Sequence, residues 1–564
     1  MKTRSARRPP RRTVSSPAVQ DISVARISDT ELPAANAGLT AAPVSATHTD
    51  PSLLRRALYV WLGIVFAAVA WQPFVLGYYS DDWAYSVEMS QVGGPFSKLR
   101  WDYALFRADP TRPGLAPLRY VLSSLAGDHA LLWHAALLLG NAILALTIVK
   151  LLRSILQPRD SLGRAITICA GSCWLLLPWN QAASYWPTML PAVLVLAAEI
   201  FLLAYLIDGW RKDQPRAVTA GLLYLWICVS YEAFYFQWVA LLLAGLAIWV
   251  EKRARLRTLF LSALALVAAQ GGALWWWYSL SKRLYPTRHR PVPVNWREWL
   301  RLNYARVAPE IIRSMAELSS VVIVIAVVVV ALCVFVYVRS FMRREEREAR
   351  QKTALYFSAC LLGAIISLVV YSAGGREVFG TGVDTRTLYI FNVWLIVAGA
   401  VLAAFAIERL NSVTGRVLAG ALAALGVCLA FGQVLRAGEW ATAARLQDEL
   451  LDRAPLSELK RIEPGAAVLL VNPRDLNGAP IFSSFLDFTH ALPWKYPYLP
   501  KVRVEVYNPW MGPMRWQNGV LSYQSEIEYR GRDLYVWRPI GGEFFKADAP
   551  FTVAEDLTIQ RGGR

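Results

Sequence analysis

The sequence predicts an α-helical polytopic membrane protein of about eleven transmembrane helices, followed by a small C-terminal extracytoplasmic α/β or α+β domain. Three observations predict it. Apolar residues make up 55% of the 564 residues and charged ones only 18%, against roughly 25% charged in a soluble domain. The apolar residues come in runs long enough to cross a bilayer, for which about 20 are needed. Lys and Arg gather in the short segments between those runs. Together these exclude an ordinary soluble enzyme, a coiled coil and a disulfide scaffold.

Residues 1–52 are polar and begin with Arg4, Arg7, Arg8, Arg11 and Arg12, with no apolar core of a signal peptide before Leu53. They read as a disordered basic cytoplasmic tail that rests against anionic headgroups or is simply solvated. Eleven apolar runs follow, at 54–77, 130–151, 164–179, 184–207, 217–233, 235–250, 258–279, 317–338, 354–373, 386–407 and 416–435. The third and fifth are short, and the fifth and sixth meet at Tyr231-Glu232-Ala233-Phe234.

With a cytoplasmic N-terminus, the loops after even-numbered spans are the basic ones: Lys150 to Arg164, Arg211-Lys212, Lys252 to Arg257, Arg339 to Lys352 and Glu408 to Arg416. The positive-inside rule therefore places the loops 78–129 and 280–316, and everything after about 437, outside. The net charge of +18 is a topology signal, and nucleic acid is not expected as a partner. Within 437–564, Glu439 to Ile462 reads as an amphipathic helix, and Ala466–Val471, Val502–Val506 and Leu534–Trp537 read as strands. The domain division is thus a tail (1–52), a membrane domain (53–436) and an outer domain (437–564).

Chemistry concentrates in the first outer loop. Tyr78-Tyr79-Ser80-Asp81-Asp82-Trp83 follows span one directly, and Arg107, Asp109, Arg112 and Arg119 lie further along. Adjacent carboxylates raise each other's pKa, and one of them can deprotonate a hydroxyl. Arginines hold phosphate through paired hydrogen bonds. The competing reading makes Asp81-Asp82 an interfacial turn or helix cap. The six cysteines lie inside apolar runs, without metal-ligand spacing.

Several elements, in order, resemble the GT-C superfamily of integral-membrane glycosyltransferases, nearest to the protein O-mannosyltransferase type and its bacterial relatives. They are Ser80-Asp81-Asp82; Thr111-Arg112-Pro113 with Pro117-Leu118; His134 and Asn141 on span two; Pro178-Trp179-Asn180 with Tyr185-Trp186; Ser230-Tyr231-Glu232; and Arg386-Thr387-Leu388-Tyr389. The resemblance covers about residues 54–410. Asp82 stands where many members have Glu, and Tyr231 where they have Lys.

The resemblance implies an enzyme of the inner (plasma) membrane. It would transfer a sugar from a polyprenyl-phosphate donor to a glycan, lipid or protein acceptor at the outer face, by inverting attack. Asp81 or Asp82 would be the general base, with Arg386, then Arg112 and Arg119, on the donor phosphate. Tyr389, Arg107, Asp109, Glu232, Trp186 and His134 are candidates for binding substrate. A cofactor is not required; a divalent cation, Mg or Mn, is left open, with Asp81 and Asp82 as its ligands if one is used.

The alternatives are an O-antigen polymerase or ligase type of transferase, a transporter or flippase of lipid-linked sugars, and a non-catalytic scaffold. A transporter predicts ionisable groups near the midplane and internal repeats. By sequence the ionisable groups sit at the outer interface. The scaffold predicts that Asp81 and Asp82 can be changed freely.

Overall fold

The computed structural model describes residues 51–83, 112–158, 160–251, 254–281, 295–342, 347–373, 376–410, 412–463, 465–471, 476, 478–482, 485–499, 502–507, 512–523, 526–531 and 533–561. Arg107 and Asp109 lie outside the described residues, as does the N-terminal segment through residue 50.

The membrane part comprises α1 (Pro51–Val69), α2 (Ala116–Ala126), α3 (Ala130–Leu156), α4 (Ser161–Ser172), α5 (Gln181–Tyr185), α6 (Leu190–Arg211), α7 (Ala217–Ser230), α8 (Trp238–Val250), α9 (Leu256–Trp275), α10 (Trp296–Ala316), α11 (Ser320–Arg339), α12 (Arg347–Ala373), α13 (Tyr389–Ile407) and α14 (Ser412–Asp452). Among the described residues, nine helices are long and apolar enough to cross a membrane. Two shorter apolar ones, Ser161–Leu176 and Ala217–Ser230, fall at the predicted third and fifth runs. The chain is a multi-pass membrane protein.

The bundle is ordered around α6, most of whose span is buried, whereas α1 and α11 show most of theirs to the surroundings. α3 packs along α6, and Gly140 permits the approach: a Cβ there would lie 2.8 Å from Leu190 Cδ1. Gly363 of α12 likewise leaves room for the Trp394 ring of α13.

Polar side chains tie the helices where water is absent. Asn141 receives Trp174 Nε1 at 2.8 Å and donates to the Ala183 carbonyl at 2.7 Å. Trp179 Nε1 donates to Asn392 Oδ1 at 3.0 Å, and Trp394 Nε1 to Gln237 Oε1 at 2.9 Å. Gln270 Oε1 accepts from Tyr224 Oη, Phe236 N and Trp238 Nε1, bridging the break between α7 and α8.

Two elements differ from expectation. The segment 280–316 contains α10, whose many charges and internal Pro309 hide a helix from an apolar scan. The last span and the amphipathic helix after it are one 41-residue helix, α14. Between them, Gly438 brings no cap or proline, and Arg436 and Glu439 pair one turn apart at 2.9 Å, so nothing stops the helix.

After the short α15 (Leu456–Leu459), a mixed sheet has the order β2-β1-β6-β7, built from β1 (Ala467–Val471), β2 (Arg503–Tyr507), β6 (Leu534–Arg538) and β7 (Glu543–Lys546). α16 (Phe485–Lys495) links the parallel pair β1 and β2. β3 (Met514–Gln517), β4 (Val520–Tyr523), β5 (Glu526–Arg530), β8 (Phe551–Val553) and β9 (Ile559–Arg561) form an antiparallel sheet. Central β1 is buried along its whole length, as a parallel strand covered on both faces should be. Val468 and Leu470 join the core shared with the membrane helices, while Ala467, Leu469 and Val471 join Met514, Leu521 and Val553 in a second core.

Candidate functional site

The site begins where α1 ends. A 3₁₀ turn at Gln72–Phe74, with Pro73 near its start, releases the chain into Gly77–Trp83. Ser80 sits in the left-handed region, with φ +48°. A residue with a Cβ is held there only when its surroundings dictate it. Four contacts do so. Asp82 N donates to Tyr79 O at 3.0 Å, Trp186 Nε1 to Tyr79 O at 3.0 Å, and His134 Nε2 to Gly77 O at 2.7 Å. Tyr79 Oη donates to the Trp440 carbonyl of α14 at 2.7 Å.

The turn gives the two carboxylates different environments. Asp82 is 0% exposed. Its Oδ2 accepts from Tyr79 N at 3.0 Å, and its Oδ1 from Thr188 N at 2.7 Å and Thr188 Oγ1 at 2.6 Å. Burial pushes its carboxyl well above the ordinary range; the hydrogen bonds oppose that shift and the Asp81 charge adds to it. Asp81 is only partly covered and forms no hydrogen bond among the described residues. Burial raises its carboxyl too, and Arg386 and Arg119 act against that as nearby positive charges. Asp82 is therefore built into the turn, while Asp81 has the charges of two arginines nearby.

Arg386 lies in the 3₁₀ turn Val383–Thr387 that opens α13. It donates to Asp384 Oδ1 at 3.2 Å, and its guanidinium lies 5.5 Å from the centroid of the Trp186 ring. The turn is anchored by Thr385, whose Oγ1 accepts from Ala182 N at 2.8 Å, and by Gly382, whose N–H donates to Gln181 Oε1 at 2.9 Å. Gly382 has φ +74° and faces Gly478, φ +85°, of the C-terminal module; a Cβ on either would strike the other's backbone.

A second group forms beside the first. Arg112 makes a two-pronged ion pair with Glu232, Nε to Oε2 at 2.7 Å and Nη2 to Oε1, and stacks 4.3 Å above the Tyr231 ring. Tyr389 is fully buried, edge-on to Tyr231 and Phe234, with its hydroxyl unpartnered among the described residues. The structure thus brings Asp81, Asp82, Arg119, Arg386 and Trp186 together, with His134 behind the turn. It joins Arg112 to Glu232, and it places Tyr389 in the bundle interior.

Sequence reasoning passed over several supports. Thr188 holds Asp82 and is flagged only by its place after Trp186-Pro187. Trp440 and Trp494 come from far along the chain; Trp494 of α16 meets Trp83 edge-on at 5.6 Å, and no local pattern marks it. Glu199, in the middle of α6, is 1% exposed with Oε1 unpartnered among the described residues. It corrects the expectation that ionisable groups sit only at the interface.

Among the described residues, no group of three or more His, Cys, Asp or Glu side chains gathers to hold a metal. Asp82 spends both oxygens on N–H and O–H donors, and the charges of two arginines lie near Asp81.

No family model matches the chain, and no curated protein matches it. Among solved structures it is similar to an oligosaccharyltransferase of Archaeoglobus fulgidus, crystallised with Zn and sulfate, at 12% identity and a TM-score of 0.39. The match covers 79% of this chain and 62% of that one, so the chain spans less than two thirds of that protein's length.

Proposed function

We propose that this protein is a membrane glycosyltransferase of GT-C type that moves a sugar from a polyprenyl-phosphate donor to a hydroxyl acceptor at the outer face of the inner membrane. The observation that carries the reading is the division of labour between the two aspartates. One carboxylate is consumed in fixing the turn; the other, partly covered and bonded to none of the described residues, has the charges of Arg386 and Arg119 nearby.

In this reading the Asp81 carboxylate takes the proton of the acceptor hydroxyl. The acceptor oxygen forms a bond to the anomeric carbon as the bond from that carbon to the phosphate oxygen breaks, with inversion. The electron pair leaves with the polyprenyl phosphate, and Arg386 and Arg119 neutralise its charge as it develops, the stage at which fixed cations accelerate a transfer. A carboxyl raised above its ordinary value suits a base working near neutral pH. The pair ties Arg112 to Glu232 in the turn after α7, which makes Arg112 a structural anchor more than a phosphate ligand. The acceptor is a glycan, a lipid or a protein.

Glu199 favours the transport reading, because a carboxyl in mid-span is costly without a function. One assay separates the two. Purified protein is given radiolabelled polyprenyl-phosphate sugars and a membrane-glycan extract, beside Asp81→Asn and Glu199→Gln. Transfer that falls about 10²–10⁴-fold in Asp81→Asn and persists in Glu199→Gln supports the enzyme. Transfer unaffected by Asp81→Asn rejects this site. Absence of transfer from every donor, with counterflow of lipid-linked sugar lost in Glu199→Gln, supports a transporter.

A further inference from the structure

At the end of the bundle opposite Asp81, a cavity of about 640 Å³ opens between α1, α3, α4 and α6. From His134, behind the acidic turn, to Lys150 the axis of α3 runs about 24 Å, so the two sites lie at different ends of the bundle. Three cations line the cavity, Lys150, Arg153 and Arg211, with the single acid Asp208. Asp208 pairs with none of them at ion-pair distance among the described residues.

The cations are differently engaged. Lys150 Nζ lies 3.9 Å above the Phe201 ring. Arg211 spends Nη2 on the Ile155 carbonyl and Tyr356 Oη, both at 3.1 Å, while its Nε and Nη1 are buried without a hydrogen-bond partner among the described residues. Arg153 is exposed and forms no ion pair among those residues. Arg211 lines the cavity with Lys150 and Arg153, and three cations against one acid favour an anion there. The lining also has an apolar part: Leu62 and Leu146 are 39% and 68% exposed.

We infer that this cavity is a binding site for the phosphate headgroup of an anionic membrane phospholipid. The phosphodiester would be received by Arg211, Lys150 and Arg153, and the acyl chains would descend along Leu62 and Leu146. The volume suits a glycerophosphate headgroup, and the pairing of basic with apolar lining selects an amphiphile over a soluble anion. The inference is independent of the transferase reading, because it uses none of the residues around Asp81.

The test is native mass spectrometry of the full chain titrated with phosphatidylglycerol or phosphatidylcholine, for wild type and the double variant Lys150→Gln/Arg153→Gln. Wild type retains phosphatidylglycerol preferentially, and the double variant binds it about thirtyfold more weakly, from about 1 kcal/mol per basic side chain. An unchanged melting midpoint in phosphatidylcholine alone checks the variant's fold. Should it fail, the exposed single variant Arg153→Gln carries the comparison, with a loss of about fivefold. Equal retention of the two lipids, or equal binding by wild type and variant, overturns the site. Displacement of phosphatidylglycerol by millimolar inorganic phosphate overturns the lipid as its source and assigns the pocket to a free anion.

Discussion

Asp81 and Asp82 are chemically identical neighbours, and the backbone alone separates their roles. The left-handed Ser80 turns the chain so that Asp82 points back into three donors, while Asp81 forms no hydrogen bond among the described residues. Asp82→Ala would leave Tyr79 N–H, Thr188 N–H and Thr188 Oγ1 without an acceptor. Unsatisfied buried donors cost about 1–3 kcal/mol each before relaxation, so a loss of at least about 2 kcal/mol in stability is expected, with transfer lost because the turn loosens. Asp81→Asn should leave the melting midpoint nearly unchanged; a comparable fall in both variants would contradict the assignment.

A pH prediction belongs to the same pair. Both carboxyls are raised above 3.8 by burial. Transfer needs Asp81 ionised, so kcat/KM should fall as pH drops through a value above 3.8, and Asp81→Asn should remove that acid limb. Stability runs the other way for these groups. A folded pKa raised above the unfolded one means that the native state gains protons first, so acidification through that window relieves a cost. The carboxyls whose folded values are lowered, Asp213, Asp452, Glu458 and Asp556, withdraw stability only as pH falls below their ordinary values of 3.8 to 4.5. Paired rate and melting curves against pH, for wild type and Asp81→Asn, would separate the acid limb of the rate from any change in stability.

Among the elements, what could be read from sequence was what membrane physics enforces. A span must be long and apolar, so all eleven runs reappear as apolar helices, including the two short ones. α10 escaped because it is not bound by that rule, and α14 was divided because its change of composition at residue 436 looks like an end when no backbone signal stops it. The interhelical glue was illegible for another reason: a glutamine in an apolar run does not name its partners. Gln270→Leu tests its weight. Phe236 N–H and Trp238 Nε1–H lose their acceptor, while Tyr224 Oη keeps the Phe234 carbonyl, and a fall of about 2 kcal/mol in stability is expected. A midpoint as high as that of wild type would show that the break is held by packing alone.

At the scale of the molecule, the C-terminal module helps to build the site, and the sequence kept this hidden because the partners lie about 100 and 400 residues apart. Gly382 meets Gly478 four residues before Arg386, and Trp83 meets Trp494 two residues after Asp81. The module thus touches both sides of the proposed chemistry, the arginine turn and the acidic turn. Gly478→Ala separates these effects from any direct role in catalysis. Its positive φ strains a residue carrying a Cβ, and that Cβ would lie 2.7 Å from Gly382 N, with backbone on both sides and no flexible side chain to yield. The arginine turn must shift, so transfer should fall by at least about tenfold, since a displacement of about 1 Å can cost a hundredfold. Trp494→Ala would remove an edge-on ring contact worth about 0.5–1.5 kcal/mol, and Trp494→Phe should restore part of it. If the module steadies the site, both Gly478→Ala and Trp494→Ala lower kcat while the unaltered Asp81 keeps its acid limb. If it only binds acceptor, both raise KM and leave kcat as it was.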